Sequence, residues 1–386
     1  MFGLVGAALA PGDAHAIPAW ARKYNMNCSG CHSPAVPRLN TKGFLFKWAG
    51  YRMPEEIGEN QELKQISEYL AARVQYKYVF NKTESTSADV NSFALDNATI
   101  FAGGALGKNF GVFSELSHSG SGVELVNNIY GVWGKEKEFG GVRVGQMHWM
   151  LEGGVAGFDR ATGLSGPSPL DGPLTAGVPF AFAIHQIGAE AFYVKDKNRS
   201  SFNVFNGVDA AGMGDGAGSP SHKDVAAIDQ FIFDANGSAV MAIAYFGSVE
   251  GLDTTLARTS HYSRYALSAN KIVDNFELSG GYAFGKDNDL PVGAMFKTSS
   301  VSGNGFWGYA GYTFPSSSLT TFGRYDYVDS NKDIANSGNV RYVLGSVLPA
   351  NIPEYFRLTL EYTLDAPRES GGLKRHGLTL DLMVNF

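Results

Sequence analysis

The chain has 386 residues, 18% of them charged, and a formal net charge of −6. That balance carries no nucleic-acid footprint, which would show as clustered Lys and Arg. No apolar run approaches the roughly 20 residues of a membrane-spanning helix, whereas 48 glycines and 13% aromatic residues suit a β protein, either soluble or a membrane barrel.

The first segment reads as an export leader. Residues 2–10 form a short apolar stretch, and Ala14-His15-Ala16 fits the small-x-small cleavage pattern. A signal peptide is therefore expected over residues 1–16, with a mature start near Ile17. No basic residue precedes the apolar stretch, which departs from the usual pattern, and a buried N-terminal strand is the alternative.

Next comes Cys28-Ser29-Gly30-Cys31-His32, which holds the only two cysteines of the chain. Two thiols separated by two residues and followed by His is the spacing of covalent haem attachment. Each thiol adds to one vinyl group of the porphyrin, and the adjacent imidazole becomes the proximal iron ligand. The pattern predicts one covalent haem c, attached at Cys28 and Cys31 and ligated by His32. A thioredoxin-like CxxC would need a βαβ setting, and a zinc site would need further Cys or His nearby. A structural disulfide would more often close a longer loop.

Residues 17–60 read as a small monohaem cytochrome c domain. Pro18, Pro34, Pro37 and Pro54 punctuate it, and Trp20, Tyr24, Phe44, Phe46, Trp48 and Tyr51 provide apolar mass. About 40 residues cannot bury a self-sufficient core, so haem is expected to supply the missing hydrophobic centre. Met53 is the leading candidate for the distal iron ligand, because a thioether followed by Pro at a domain's end is similar to small c-type cytochromes. Its alternative role is that of a gap-filling core Met. Met26 is a rival, but it stands too close to the attachment site to reach the opposite haem face. Residues 61–68 form a linker, with a short helix expected over 62–69.

From residue 69 to 386 the period is two. Phe356, Leu358, Leu360, Tyr362 and Leu364 alternate with Arg357, Thr359 and Glu361. Leu378, Leu380, Leu382, Val384 and Phe386 alternate with Thr379, Asp381 and Asn385, and Val74, Tyr76 and Tyr78 alternate with Arg73, Gln75 and Lys77. One polar and one apolar face suit a barrel with a wet interior and a lipid-facing exterior. About 16 strands are expected, joined by connections that alternate in length. The short set is 107–109, 234–237, 270–275, 315–318 and 349–353; the long set is 82–91, 151–178, 207–224, 248–259, 285–304 and 329–339. This order favours an outer-membrane barrel over a soluble sandwich. An N-terminal domain in the periplasm requires an even strand count, and terminal Phe386 resembles the closing signature of bacterial outer-membrane proteins.

The remaining histidines (His118, His148, His185, His222, His261, His376) show no metal-ligand spacing on one strand face, and are expected to be lumen or loop residues. Asp209, Asp215, Asp253, Asp287, Asp289 and Asp333 fall in the expected long loops and read as solvated acids. No nucleophile elbow, phosphate loop or zinc-protease helix is present, and no side chain is expected to act as a catalytic acid or base.

The run from Pro18 through Met26-Asn27-Cys28-Ser29-Gly30-Cys31-His32 resembles a known family, as do Val36-Pro37-Arg38-Leu39-Asn40, Gly43-Phe44 and Gly50-Tyr51-Arg52-Met53-Pro54. These segments are similar to the fused monohaem cytochrome–porins of the bacterial outer membrane, the iron-oxidising outer-membrane cytochromes. The match covers about residues 18–58; beyond it only length and β pattern agree. The resemblance implies a cytochrome domain plugging a barrel of about 16 strands. It also implies an oxidoreductase that takes electrons from extracellular Fe(II) and passes them to a periplasmic c-type cytochrome or another acceptor, with outer-membrane lipid around it. A lipid-facing band is about 25 Å tall, so a haem below one rim would lie too far from the outside for fast tunnelling, and seating it in the lumen shortens that leg. Two alternatives share this architecture: an outward electron conduit, and a diffusion porin with a haem-containing gate.

Overall fold

The computed structural model describes residues 18–33, 38–84, 89–119, 122–147, 162–212, 222–252, 259–292, 297–352, 354–369 and 371–386. The expected leader, Pro34, Val36, Pro37, His148, Asp215 and Asp253 lie outside them.

Sixteen antiparallel strands close into one barrel, each pairing with its sequence neighbours and the last with the first. They are β1 (Leu70–Thr83), β2 (Val90–Leu106), β3 (Phe110–Ser119), β4 (Gly122–Lys135), β5 (Glu138–Met147), β6 (Gln186–Lys195), β7 (Asn198–Phe205) and β8 (Asp224–Ile232). There follow β9 (Ala239–Glu250), β10 (Thr259–Val273), β11 (Phe276–Val292), β12 (Lys297–Thr313), β13 (Thr320–Asp329), β14 (Gly338–Ile352), β15 (Glu354–Pro367) and β16 (Arg375–Asn385). Closure satisfies the backbone all round, which a structure crossing lipid requires.

The outer face is largely apolar, with a few outward polar residues such as Asn127 and Asp229. Ile100, Leu116, Leu267, Leu278, Leu344 and Leu360 are all exposed on it, joined by Tyr265, Tyr282, Phe306 and Tyr342. Large apolar side chains exposed on every side of a closed barrel are unusual for a water-soluble monomer and match the lipid-facing surface of an outer-membrane barrel. The alternation expected on β1, β15 and β16 holds: Gln75, Arg357, Thr359, Glu361 and Asp381 are buried within the lumen, while Tyr76, Leu360, Leu378 and Leu380 face outward.

The expected short connections 107–109, 234–237, 270–275 and 315–318 fall at one end, joined there by 136–137 and 196–197; of 349–353, residues 349–352 continue β14 and 353 lies outside the described residues. The expected loop over 285–304 is mostly strand. β11 and β12 pair from Phe276 opposite Tyr312 to Val292 opposite Lys297, with an irregularity between Asp287 and Leu290. Ladder pairing overrides the local Gly, Asp and Pro signals there. The helix expected over 62–69 is only a 3₁₀ turn, Ile66–Glu68. Residues 62–67 are exposed, so no apolar stripe is available to sustain a longer helix.

Residues 18–33 and 38–57 pack inside the barrel at the short-turn end as a plug-like segment. It contains α1 (Pro18–Tyr24) and α2 (Thr41–Trp48). Its aromatic core continues into the barrel wall: Trp20 stacks on Tyr51 at 4.6 Å, and Tyr51 stacks on Phe113 at 5.2 Å and meets Tyr130 edge-on at 5.4 Å. The partner that a 40-residue domain lacks is thus supplied here by β3 and β4. Two glycines permit the approach, since a Cβ at Gly111 would overlap the Gly50 carbonyl. The buried Arg52 guanidinium donates to the carbonyls of Lys108 (2.6 Å) and Phe110, clamping the plug to the β2–β3 turn.

A second body folds inward from the long-loop end. Residues 162–185 include α3 (Ser168–Asp171), which packs on β11, β12 and β13. Wall carboxylates hold it. Glu361 accepts from Leu164 N (2.8 Å) and Ser165 Oγ (2.6 Å), Asp326 from Ser168 N (3.0 Å), and Asp287 from Val178 N (2.7 Å).

Candidate functional site

The attachment motif folds as one tight turn. Cys28–Gly30 is a 3₁₀ helix, and Cys28 O accepts from Cys31 N (3.1 Å) and His32 N (2.9 Å). The winding brings Cys28, Cys31 and His32 together into the lining of one cavity. The two thiols are not joined to each other. Burial pushes both of them up from the ordinary thiol range, so they are protonated at neutral pH.

The turn is braced by α2. Asn40 caps that helix by accepting from Gly43 N (3.0 Å), and its Nδ2 donates to Gly30 O (3.2 Å). A Cβ on Gly43 would overlap Cys31 O, so only glycine lets the helix start so close to the motif. His32 Nδ1 lies 3.0 Å from Arg38 O. A carbonyl only accepts, so Nδ1 carries the proton and Nε2 carries the lone pair. This is how a second hydrogen bond selects the tautomer and orients the ring of a metal-ligating histidine. Arg38 is itself ion-paired to Glu277 of β11. Glu277 also accepts from Thr162 Oγ1 (3.3 Å), so plug and inward segment meet at one wall carboxylate.

The cavity measures about 650 Å³. The plug forms one side, through Tyr24, Met26, Cys28, Cys31, His32 and Lys47. Residues 163–165 and the wall strands β1–β3 and β14–β16 form the rest. Its β16 lining runs from Asn385 through Met383, Asp381 and Thr379 to Arg375. That is about 34 Å along the strand at ~3.4 Å per residue, so the space connects the motif with the long-loop end. The volume is that of a cofactor site, and two thiols with an oriented imidazole in one lining are the donor set of a covalent haem. The residues present fit that group.

Wall charges line the channel in pairs. Arg73 meets Glu115 at 3.1 Å, Arg341 meets Asp365 at 2.6 Å, and Lys77 meets Asp96. Among the described residues no cluster of three or more His, Cys, Asp or Glu could hold a metal ion.

Met53 is not brought to the cavity. It is buried in the aromatic core of the plug, and its N–H donates to Glu56 Oε2 (3.0 Å) as it caps the 3₁₀ turn Pro54–Glu56. Met26 does line the cavity, but its sulfur accepts from Lys42 Nζ (3.1 Å) and lies beside Gly30 of the attachment turn. His118 is exposed on β3, His185 pairs with Glu124, and His376 Nδ1 bonds Tyr362 Oη at 2.8 Å. His222 and His261 stand 6.4 Å apart, with Glu250 at 3.5 Å from His222.

Asp287 departs from the expected solvated acid: it is fully buried and bonds Arg264 at 2.6 Å. Sequence reasoning missed this anchor together with Arg38, Glu277, Asp326 and Glu361. Their partners are remote in the chain, and the local signal of each is only a polar residue in a region of alternating or loop-like character.

No family model matches this chain, and no curated protein matches it. Among solved structures, the fold is similar to the anion-selective porin from Comamonas acidovorans at 12% identity and TM-score 0.57, covering 82% of this chain and 98% of that one. It is also similar to the outer membrane channel DcaP of Acinetobacter baumannii (10%, TM-score 0.57, 82% and 96%) and to OprB of Pseudomonas putida (9%, TM-score 0.55, 82% and 94%). These likenesses establish a porin-like 16-stranded barrel.

Proposed function

We propose that the chain is an outer-membrane electron-transfer protein that carries one covalent haem c and oxidises extracellular Fe(II). One observation carries the reading: Cys28, Cys31 and His32 share the lining of the lumen cavity, with Nδ1 of His32 held by a backbone carbonyl. Bound there, haem supplies a one-electron carrier. Cys28 and Cys31 would tether it, and His32 Nε2 would ligate its iron.

The short-turn end, where the plug packs, faces the periplasm in this reading, as short turns do in outer-membrane barrels. The channel along β16 gives a small hydrated cation a polar route inward from the long-loop end, and the paired wall charges avoid a single-sign barrier to it. Fe(II) is the substrate; haem held by Cys28, Cys31 and His32 would supply the one-electron acceptor for it, and a periplasmic c-type cytochrome or other one-electron acceptor would be the partner. Anaerobic titration of the purified, haem-loaded full chain with Fe(II) tests this. Stoichiometric haem reduction is the expected result. A haem that Fe(II) leaves oxidised but strong reductants reduce points instead to an outward conduit.

The second reading is a diffusion porin with a haem-containing gate, favoured by the channel's span and by the fold shared with porins. Ion conductance in planar bilayers alongside an Fe(II)-inert haem would select it.

A further inference from the structure

We propose that Met383, on the barrel wall, supplies the distal ligand to the haem iron, so that plug and barrel hold one metal between them; this rests on the covalent-haem reading above. His32 would supply one ligand to the iron, and a second protein donor would have to reach the same cavity. On the plug side, Met26 is engaged by Lys42 beside the attachment turn. Tyr24 donates its hydroxyl to Glu56 at 2.7 Å. Lys47 presents an ammonium, which has no lone pair. Met53 is absent from the lining, and His32 is its sole histidine.

The barrel-wall side of the lining offers one soft donor. Met383 lines the cavity and is 4% exposed. Its lumen-side neighbours on β16 are Thr379, Asp381 and Asn385, and the residues paired with it are Gln75 on β1 and Arg357 on β15. A thioether is out of pattern on this polar surface, and it offers no hydrogen bond the channel needs. Met383 stands two residues from the end of β16, at the end of the barrel where the plug packs. His/Met ligation raises a haem's potential, the direction an acceptor for Fe(II) needs. The arrangement also makes haem attachment a latch: a seated plug is coordinated to the wall, and an unseated one is not.

The test compares haem-loaded full-length protein with its Met383→Leu and Met53→Leu variants, by pyridine haemochrome content, oxidised-state absorption and midpoint potential. Leucine is close to isosteric, so covalent haem content is expected to stay at the wild-type level. Met383→Leu should lose the long-wavelength thioether-to-iron band and shift the potential downward, whereas Met53→Leu should keep both. An unchanged band and potential in Met383→Leu with full haem content overturns the proposal, as does loss of the band in Met53→Leu or its absence from the wild type. No haemochrome in the wild type would instead overturn the covalent-haem reading on which it rests.

Discussion

On β5–β7 the lumen face is sealed; on β1–β3, β14 and β15 part of it is open, although Gln75, Arg357 and Thr359 there are buried. Arg143, Glu190 and Arg199 form a closed triad, with Glu190 bonded to Arg143 at 2.9 Å and to Arg199 at 2.8 Å, and every side chain at most 3% exposed. Arg199 also lies 4.8 Å from the Phe192 ring and 5.8 Å from Trp48 of α2, so the plug closes over it. In the open sector, Arg73 with Glu115 and Arg341 with Asp365 remain between 20% and 28% exposed. Both sectors are written with the same alternating polar residues. Under the plug two guanidinium groups share the single Glu190 carboxylate out of reach of solvent; along the channel, each cation has its own carboxylate and partial solvent access. The lumen face is therefore a buried core on one side and the lining of an accessible cavity on the other.

The contrast predicts unequal costs. Glu190→Gln leaves two buried guanidinium groups without their carboxylate and should destabilise the barrel by about 3–5 kcal/mol, read by urea unfolding of the detergent-folded protein. A loss of the same size in Glu115→Gln would erase the distinction between the sectors.

Gly111→Val should act at the plug's seat. The new side chain collides with Gly50, at a cost of about 1–3 kcal/mol for overpacking. Conductance in planar bilayers should rise severalfold as the sealed sector opens, while the heat-modifiable gel mobility of the barrel is kept. Unchanged conductance would mean that the plug does not govern the channel.

Glu115→Gln is expected to change stability by no more than about 1 kcal/mol, since exposed pairs contribute little. Its effect should appear as a shift of ion preference toward anions in reversal-potential measurements.

The smallest effect concerns the thiols of the haem-free full chain. Burial raises both above the ordinary range, so the reactive thiolate is scarce near pH 8 and increases with pH. Iodoacetamide should modify Cys28 and Cys31 slowly at pH 8 and roughly tenfold faster per pH unit above it. A rate at pH 8 matching a free cysteine would show that the turn is not desolvated against the barrel.

Much of the architecture is legible in the chain because its signals are local. Alternation on β1, β15 and β16 assigns lumen and lipid faces, since successive side chains of a strand point to opposite sides. Turn residues mark one end of the barrel. Cys28, Cys31 and His32 lie within five consecutive residues, so a single turn brings them into one cavity lining. The extent of β11 and β12 was not legible, because their pairing overrides Gly and Asp residues that suggest a loop.

What the tertiary structure alone decided are contacts across the lumen. Asp287 is a buried anchor because Val178 and Arg264 converge on it, Trp20 and Tyr51 find their core partners on β3 and β4, and Met53 turns inward while Met383 faces the cavity. A period of two states which face of a strand meets the interior. It carries no record of what fills that interior, because the filling comes from segments a hundred or more residues away and is selected by shape and charge once the barrel has closed.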